Sequence, residues 1–264
     1  MIDLHAHVLP GIDDGPASMA DALELLRELI ADGVKAVAAT PHVRDDYPTT
    51  PDQIATALAA LRDAATADSL GIEILPGAEL ALDRVRFAVH DGSLAVFALA
   101  GNPRYLLVES PYHGWPLDLG DVLRALVRSG IRPVLAHPER NGSVQDDIER
   151  ISALVEDGVL VQLTASSLVG RSGARVRRTA LRLLERDLVH LVGSDSHSAG
   201  SRRAGLATVR DAVGDEALAD WLTRAVPDAI VRDIDLPLRP RTDATSRPWG
   251  LGSVIRRVTS GRRR

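Results

Sequence analysis

Short runs of β-prone apolar residues recur roughly every thirty residues along this chain and alternate with segments whose apolar residues fall at helical spacing. The runs are Ile2 to Leu4, Val34 to Ala39, Ile72 to Leu75, Tyr105 to Val108, Pro133 to Ala136, Val159 to Leu163 and His190 to Val192. Between them, Leu23, Leu26, Leu29 and Ile30, and again Val122, Leu123, Leu126 and Val127, mark amphipathic helices. Thr50, Pro51 and Gln53 have the pattern of a capped helix start, and Ser18 is placed to begin the first helix in the same way. Regular alternation predicts an α/β fold with a parallel sheet, because parallel neighbours need a helical crossover. Seven such units in about 200 residues favour closure into a barrel over an open sheet.

The pattern fails after Pro237, where Pro, Gly, Ser, Thr and Arg take over. The expected organisation is one domain over residues 1–238 and a basic, disordered tail over 239–264. That tail holds eight arginines against the single acid Asp243, a charge of +7, so the overall −5 leaves −12 on the remainder. A body this acidic argues against a nucleic-acid partner, whereas the tail suits an acidic partner or the surface of an anionic membrane. No apolar run reaches the ~20 residues of a membrane span, and the first residues lack the pattern of a secretory leader. The expected location is the cytoplasm. Cysteine is absent, which excludes disulfides, thiolate ligands and a cysteine nucleophile; any metal must be held by nitrogen and oxygen.

The polar residues at the strand ends carry the chemistry. His5, His7, His42, His137 and His197 each lie at or just after one of the apolar runs, and Asp14, Glu79, Glu109 and Asp195 occupy equivalent places. In a barrel of parallel strands these ends converge on one face. His5-Ala6-His7 puts two imidazoles on the same side of an extended strand, and Asp195 and His197 repeat the spacing. So many carboxylates and imidazoles together would repel and desolvate one another by several kcal/mol unless divalent cations sat among them. The set exceeds the needs of one ion, so two or three are expected, and sulfur-free ligation suits manganese, iron or zinc. His90 and His190 stand away from this pattern and are expected to be structural. Tyr112, His113 and Trp115 follow the fourth run and can serve either as a pocket for an aromatic ring or as loop packing.

The blocks Ile2-Asp3-Leu4-His5-Ala6-His7, Pro10-Gly11-Ile12-Asp13-Asp14-Gly15, Ala39-Thr40-Pro41-His42, Gly77-Ala78-Glu79, Ala136-His137-Pro138-Glu139-Arg140 and Gly193-Ser194-Asp195-Ser196-His197 resemble the polymerase-and-histidinol-phosphatase (PHP) superfamily. Within it they are most similar to the bacterial tyrosine-protein phosphatases of capsule and exopolysaccharide operons. The resemblance runs from residue 1 to about 235 and implies a distorted, TIM-like (β/α)7 barrel with three divalent ions, manganese before iron or zinc. By resemblance, His5, His7, Glu79 and Asp195 would hold the first ion. Glu79, as a bridge, with Glu109 and His137 would hold the second, and Asp14, His42 and His197 the third. Arg140 and Arg202 match the family's phosphate-binding arginines, with Arg203 able to replace Arg202. Val43 and Asn141 depart from residues common in the family, the latter close to the phosphate site.

The implied function is metal-dependent hydrolysis of a phosphomonoester by hydroxide attack on phosphorus, since clustered divalent ions make water acidic and clamp the attacking and leaving oxygens. The implied substrate is phosphotyrosine on a protein, in particular a bacterial tyrosine kinase controlling polysaccharide synthesis. Histidinol phosphate or another small phosphomonoester is the alternative, and a metal-binding regulatory module without turnover is the alternative of another class.

Overall fold

A computed structural model describes residues 1–200 and 205–241. In them lie β1 (Ile2–Ala6), β2 (Ala36–Ala39), β3 (His42–Val43), β4 (Glu73–Leu75), β5 (Glu79–Leu80), β6 (Tyr105–Glu109), β7 (Arg132–Ala136), β8 (Leu160–Thr164) and β9 (Leu191–Gly193). All pair in parallel, as β1-β2-β4 and β3-β5-β6-β7-β8-β9. The short strands β3 and β5, which the apolar runs do not reveal, continue β2 and β4 beyond Pro41 and Pro76. Proline has no N–H to give a ladder, so each strand breaks there and resumes. Counted this way, seven strands follow one another in sequence order. The last meets the first: Asp195 N donates to His5 O (2.8 Å), and His7 N donates to Ser196 O (2.9 Å). Asp3 Oδ1 braces the same seam by accepting from Ser194 N at 3.1 Å. The fold is therefore the expected distorted (β/α)7 barrel, its distortion set by two proline breaks.

Helices α1 (Met19–Ala31), α2 (Pro51–Ala67), α3 (Leu82–Asp91), α4 (Leu119–Arg128), α5 (Gly142–Asp146), α6 (Glu149–Glu156), α7 (Ala165–Leu168) and α8 (Ala174–Glu185) connect the strands. Thr50 caps α2 in a full capping box, with Gln53 N donating to Thr50 Oγ1 and Thr50 N donating to Gln53 Oε1. Ser18 caps α1 by accepting from Asp21 N. The buried stripe of α1 is Ala22, Leu25, Leu26 and Leu29, with Leu23 and Ile30 at its flank. Each fully buried leucine contributes about 1.5–3 kcal/mol.

At the opposite end of the barrel, His190 Nδ1 accepts a hydrogen bond from Val161 N (3.1 Å), and the His190 backbone N–H donates to Val161 O (2.9 Å). Burial, with Arg239 and Arg132 nearby, pushes this imidazole down to about 4. It is a structural histidine, as expected. The fold favours its neutral form, so the stabilisation is complete above pH ~6.5 and is lost as pH falls through about 4. His190→Asn, whose amide oxygen can still accept from Val161, is expected to remove this acid sensitivity. Urea unfolding at successive pH values should show the wild type losing stability relative to the variant between pH ~6.5 and 4, by up to about 3 kcal/mol.

Arg239 packs on this end too. It donates to Val189 O (2.6 Å), pairs with Asp187 (3.1 Å) and lies 5.3 Å from the centre of the Trp221 ring. The basic segment thus begins against the body, and residues 242–264 lie outside the described residues. None of the described helices is long and apolar enough to cross a membrane.

Candidate metal centre

Parallel pairing brings the polar strand ends to one mouth. His42 lies opposite Glu79 in the β3–β5 register, and Glu109 ends β6 opposite Ala136, one residue before His137. Two of the residues there have left-handed backbone, His137 (φ 37°) and Asp195 (φ 53°). Such conformations cost of order 1–3 kcal/mol in a side-chain-bearing residue and re-aim its Cα–Cβ bond. Gly193 is needed for a different reason: a Cβ there would lie 2.8 Å from His5 Cβ and 3.0 Å from Gln162 Nε2.

All nine residues singled out as ligands come together, in four overlapping groups. These are His5, His7 and Asp195; His5, Glu79 and His137; His42, Glu79 and Glu109; and His7, Asp14, His42 and His197. The grouping differs in detail from the one implied by resemblance, because His137 joins Glu79 with His5, and Glu109 joins it with His42. Glu79 is the hub. Its Oε1 lies 2.8 Å from His137 Nε2, and its Oε2 lies 3.0 Å from His42 Nδ1, 3.4 Å from His5 Nε2 and 3.5 Å from His7 Nε2. Asp14 Oδ1 is 3.3 Å from His197 Nε2 and 3.6 Å from His42 Nε2.

Three histidines are oriented from behind. His5 Nδ1 meets Gln162 Oε1 at 2.9 Å, His7 Nδ1 meets Asp13 Oδ2 at 2.8 Å, and His197 Nδ1 meets the Asp195 carbonyl at 3.0 Å. Each acceptor fixes the proton on Nδ1 and leaves the Nε2 lone pair facing the centre, as metal-binding imidazoles require. Among the described residues Glu79 Oε2 and His42 Nδ1 make no aligned hydrogen bond, although both are buried. Ligand atoms ~2.1 Å from a cation stand roughly 3.0–3.4 Å apart, the spacing found around Glu79. The donor set, its spacing and its tied-off Nδ1 atoms all fit divalent cations.

The electrostatics agree. Burial pushes Glu79 and Asp195 up, but His5, His137 and His42 outweigh it at Glu79, and His5, His7 and Arg140 at Asp195, holding each well below the ordinary carboxylate range. Burial opposes charge on His5 and His7 too, yet Glu79 and Asp195 raise His5, and Asp13, Asp195 and Glu79 raise His7. His197 and His42 bring Asp14 down to about 2 against its own burial. Glu109 moves the other way, raised by burial and by the Glu79 charge. Glu79 and Asp195 thus favour the charged form of His5 and His7 when no cation is present, so metal uptake there is expected to release protons.

Arg140 reaches into this mouth, its Nη1 2.6 Å from Asp195 Oδ2 and 3.3 Å from the Tyr112 hydroxyl, to which it donates. The Tyr112 ring stacks on His137 at 5.6 Å. Arg202 and Arg203 lie outside the described residues. Asn141 is fully buried: its Nδ2 donates to Gly114 O (2.8 Å) and Pro111 O, and its Oδ1 accepts from Ser143 N and Val144 N. It pins the loop that carries Tyr112. His113 is exposed, and Trp115 packs near Arg150 instead of facing the centre.

Sequence reasoning missed Asp13, Gln162 and Arg44. Gln162 had a visible signal, a polar residue inside an apolar strand run. Asp13 Oδ2 also accepts from His42 N (2.9 Å) and its Oδ1 from Gly15 N (2.9 Å), leaving no place for an amide donor. Asp13→Asn is expected to weaken metal binding by about 10–100-fold, measured by competition with a chelator.

Comparison with known proteins agrees with this geometry. The model of the family described as capsular polysaccharide synthesis, CpsB/CapC, matches residues 1–229. Tyrosine-protein phosphatase YwqE of Bacillus subtilis (strain 168) is 32% identical over 205 residues, covering 76% of this chain and 79% of that protein. Tyrosine-protein phosphatase CpsB of Streptococcus pneumoniae is 30% identical over 210 residues, covering 76% and 85%. A crystal structure from work on YwqE from Bacillus subtilis and CpsB from Streptococcus pneumoniae, described as unique metal-dependent tyrosine phosphatases, superposes with a TM-score of 0.81 at 28% identity, covering 92% of this chain and all of that one. With the family's model spanning the whole barrel and its strand-end cluster, the chain belongs to the CpsB/CapC family of capsular polysaccharide synthesis.

Proposed function

We propose that this chain is a metal-dependent protein-tyrosine phosphatase, with His5, His7, Asp14, His42, Glu79, Glu109, His137, Asp195 and His197 as ligands of three divalent ions, manganese foremost. The observation that carries the reading is the convergence of four ligand groups about the buried Glu79, with the Nδ1 atoms of His5, His7 and His197 tied off. When bound, divalent cations provide a nucleophile from water near neutral pH and neutralise charge on the phosphoryl oxygens.

The protein's own side chains do the rest. Arg140 offers a planar fork suited to two phosphoryl oxygens, and Asp195 holds that fork in the mouth. Arg202 would join it in binding phosphate, as the resemblance implies. Tyr112 stands at the rim, where its face can line the path of a phenyl ring. A phenolate, with pKa near 10, leaves more readily than an alkoxide, so the reaction needs no dedicated acid.

The substrate we infer is a phosphotyrosine protein, a bacterial tyrosine kinase of polysaccharide synthesis, met in the cytoplasm. The names of the relatives and the family description support this. The body over residues 1–238 would carry the chemistry, and the charge of 239–264 supports contact with an acidic partner or an anionic membrane. The test is elemental analysis of the purified chain, followed by turnover of a phosphotyrosine peptide and of histidinol phosphate with manganese. About three metal equivalents and preference for the peptide are expected. Turnover no greater than that of Asp195→Ala would instead mark a regulatory module.

A further inference from the structure

Arg140 can engage at most two of the three equatorial oxygens of a transferring phosphoryl group through its fork, so the third oxygen faces another side of the mouth. Arg44, just after β3, also reaches this mouth, where it rests on Glu109. The turn that carries it is closed in both directions, with Arg44 N donating to Tyr47 O (3.0 Å) and Tyr47 N donating to Arg44 O (3.1 Å). Its Nη1 donates to Glu109 Oε1 (2.9 Å), Nε lies 2.8 Å from Asp46 Oδ1, and the guanidinium sits 5.1 Å from the centre of the Tyr47 ring.

The surroundings of Arg44 repeat those of Arg140. Each guanidinium rests on one carboxylate of the cluster, Arg140 on Asp195 and Arg44 on Glu109. Each has a tyrosine beside it that stacks on a histidine of the cluster, Tyr112 on His137 and Tyr47 on His42, the latter at 5.8 Å and 14°. The two pairs rest on different ligand groups, Asp195 with His5 and His7, and Glu109 with His42 and Glu79. The Arg44 side chain is 22% exposed, so solvent reaches it and so can a ligand. Among the described residues its Nη2 makes no hydrogen bond, although guanidinium carries five N–H donors.

We infer that Arg44 is a second phosphate-binding side chain, which donates to the phosphoryl oxygen turned away from Arg140. The inference rests on the proposed phosphatase reading and is independent of Arg202. It deepens the site's description, since a phosphoryl group held between two guanidinia is fixed in orientation as well as neutralised.

The test uses the full metal-loaded chain and the variants Arg44→Gln and Arg44→Lys. Binding of inorganic phosphate is measured by calorimetry, metal content by elemental analysis, and kcat and KM with p-nitrophenyl phosphate. Arg44→Gln should keep wild-type metal content, weaken phosphate binding at least about 10-fold and lower kcat/KM about 10²-fold, with Arg44→Lys in between. Phosphate binding equal to wild type in Arg44→Gln overturns the inference. So does a loss that follows lost metal, which would make Arg44 a positioning residue for Glu109, or a wild-type protein that binds no phosphate. A wild-type protein that binds phosphate without turning over p-nitrophenyl phosphate defeats the phosphatase reading alone, and the calorimetric comparison still decides the role of Arg44.

Discussion

Glu79→Gln is expected to empty the centre of at least one metal equivalent and to lower kcat/KM by about 10³-fold or more, which is about 4 kcal/mol of transition-state stabilisation. Glu79 is fully buried, and its two oxygens face His5, His7, His42 and His137, so it takes part in two of the four ligand groups. The amide keeps the shape but removes the negative charge, and it presents an N–H pair to imidazole nitrogens that must accept a cation. The loss should therefore appear in metal content before it appears in protein stability. Elemental analysis of wild type and variant purified side by side, with p-nitrophenyl phosphate turnover at saturating manganese, checks it. A variant that keeps the full metal complement and turns over within about 2-fold of wild type would remove Glu79 from the hub of the centre.

Arg140→Met is expected to leave metal content intact while lowering kcat/KM about 10²–10³-fold, the usual cost of removing one preorganised donor for an oxyanion. Methionine retains much of the packing volume of the arginine stem, so the change isolates the charge. The guanidinium is nearly buried, raised above the arginine range by Asp195, Glu139 and Tyr112 against the opposing effect of burial, and therefore stays charged at any working pH. Its removal frees Asp195 of an ion pair at 2.6 Å. The discriminating result is the combination: unchanged metal stoichiometry with weakened inhibition by inorganic phosphate. Lost metal instead would mean that Arg140 serves Asp195 and not the substrate.

These two effects would separate the two jobs proposed for the mouth, holding cations and holding phosphate, and the residues proposed for them were visible in the chain to different degrees. His5 and His7 were legible because a strand repeats its faces every two residues. The strand-end rule then gathered His42, Glu79, Glu109, His137 and Asp195, because each follows an apolar run in a parallel barrel. The helix stripe on α1 was read one step off, with Leu23 placed where Leu25 and Ala22 are buried, since periodicity gives the existence of a face but not its rotation toward neighbours. Strands β3 and β5 were not legible at all. Two residues are too few to carry an alternating pattern, and each exists because the paired strand beside it supplies the other half of its ladder.

The order of strands and helices, the class of the fold, the set of imidazoles and carboxylates at the strand ends and the exclusion of sulfur chemistry were thus determined by the sequence alone, because they depend on local pattern and residue type. The roles within that set were decided by tertiary structure. Asp13 and Asp14 are neighbours of the same type, yet one orients His7 from behind and the other faces His42 and His197. Gln162 and Arg44 find their partners His5 and Glu109 across 157 and 65 residues of chain. Hydrogen bonds fix a tautomer or aim a carboxylate only within about 3 Å, and no spacing along the chain encodes such a distance between residues that closure of the barrel alone brings together.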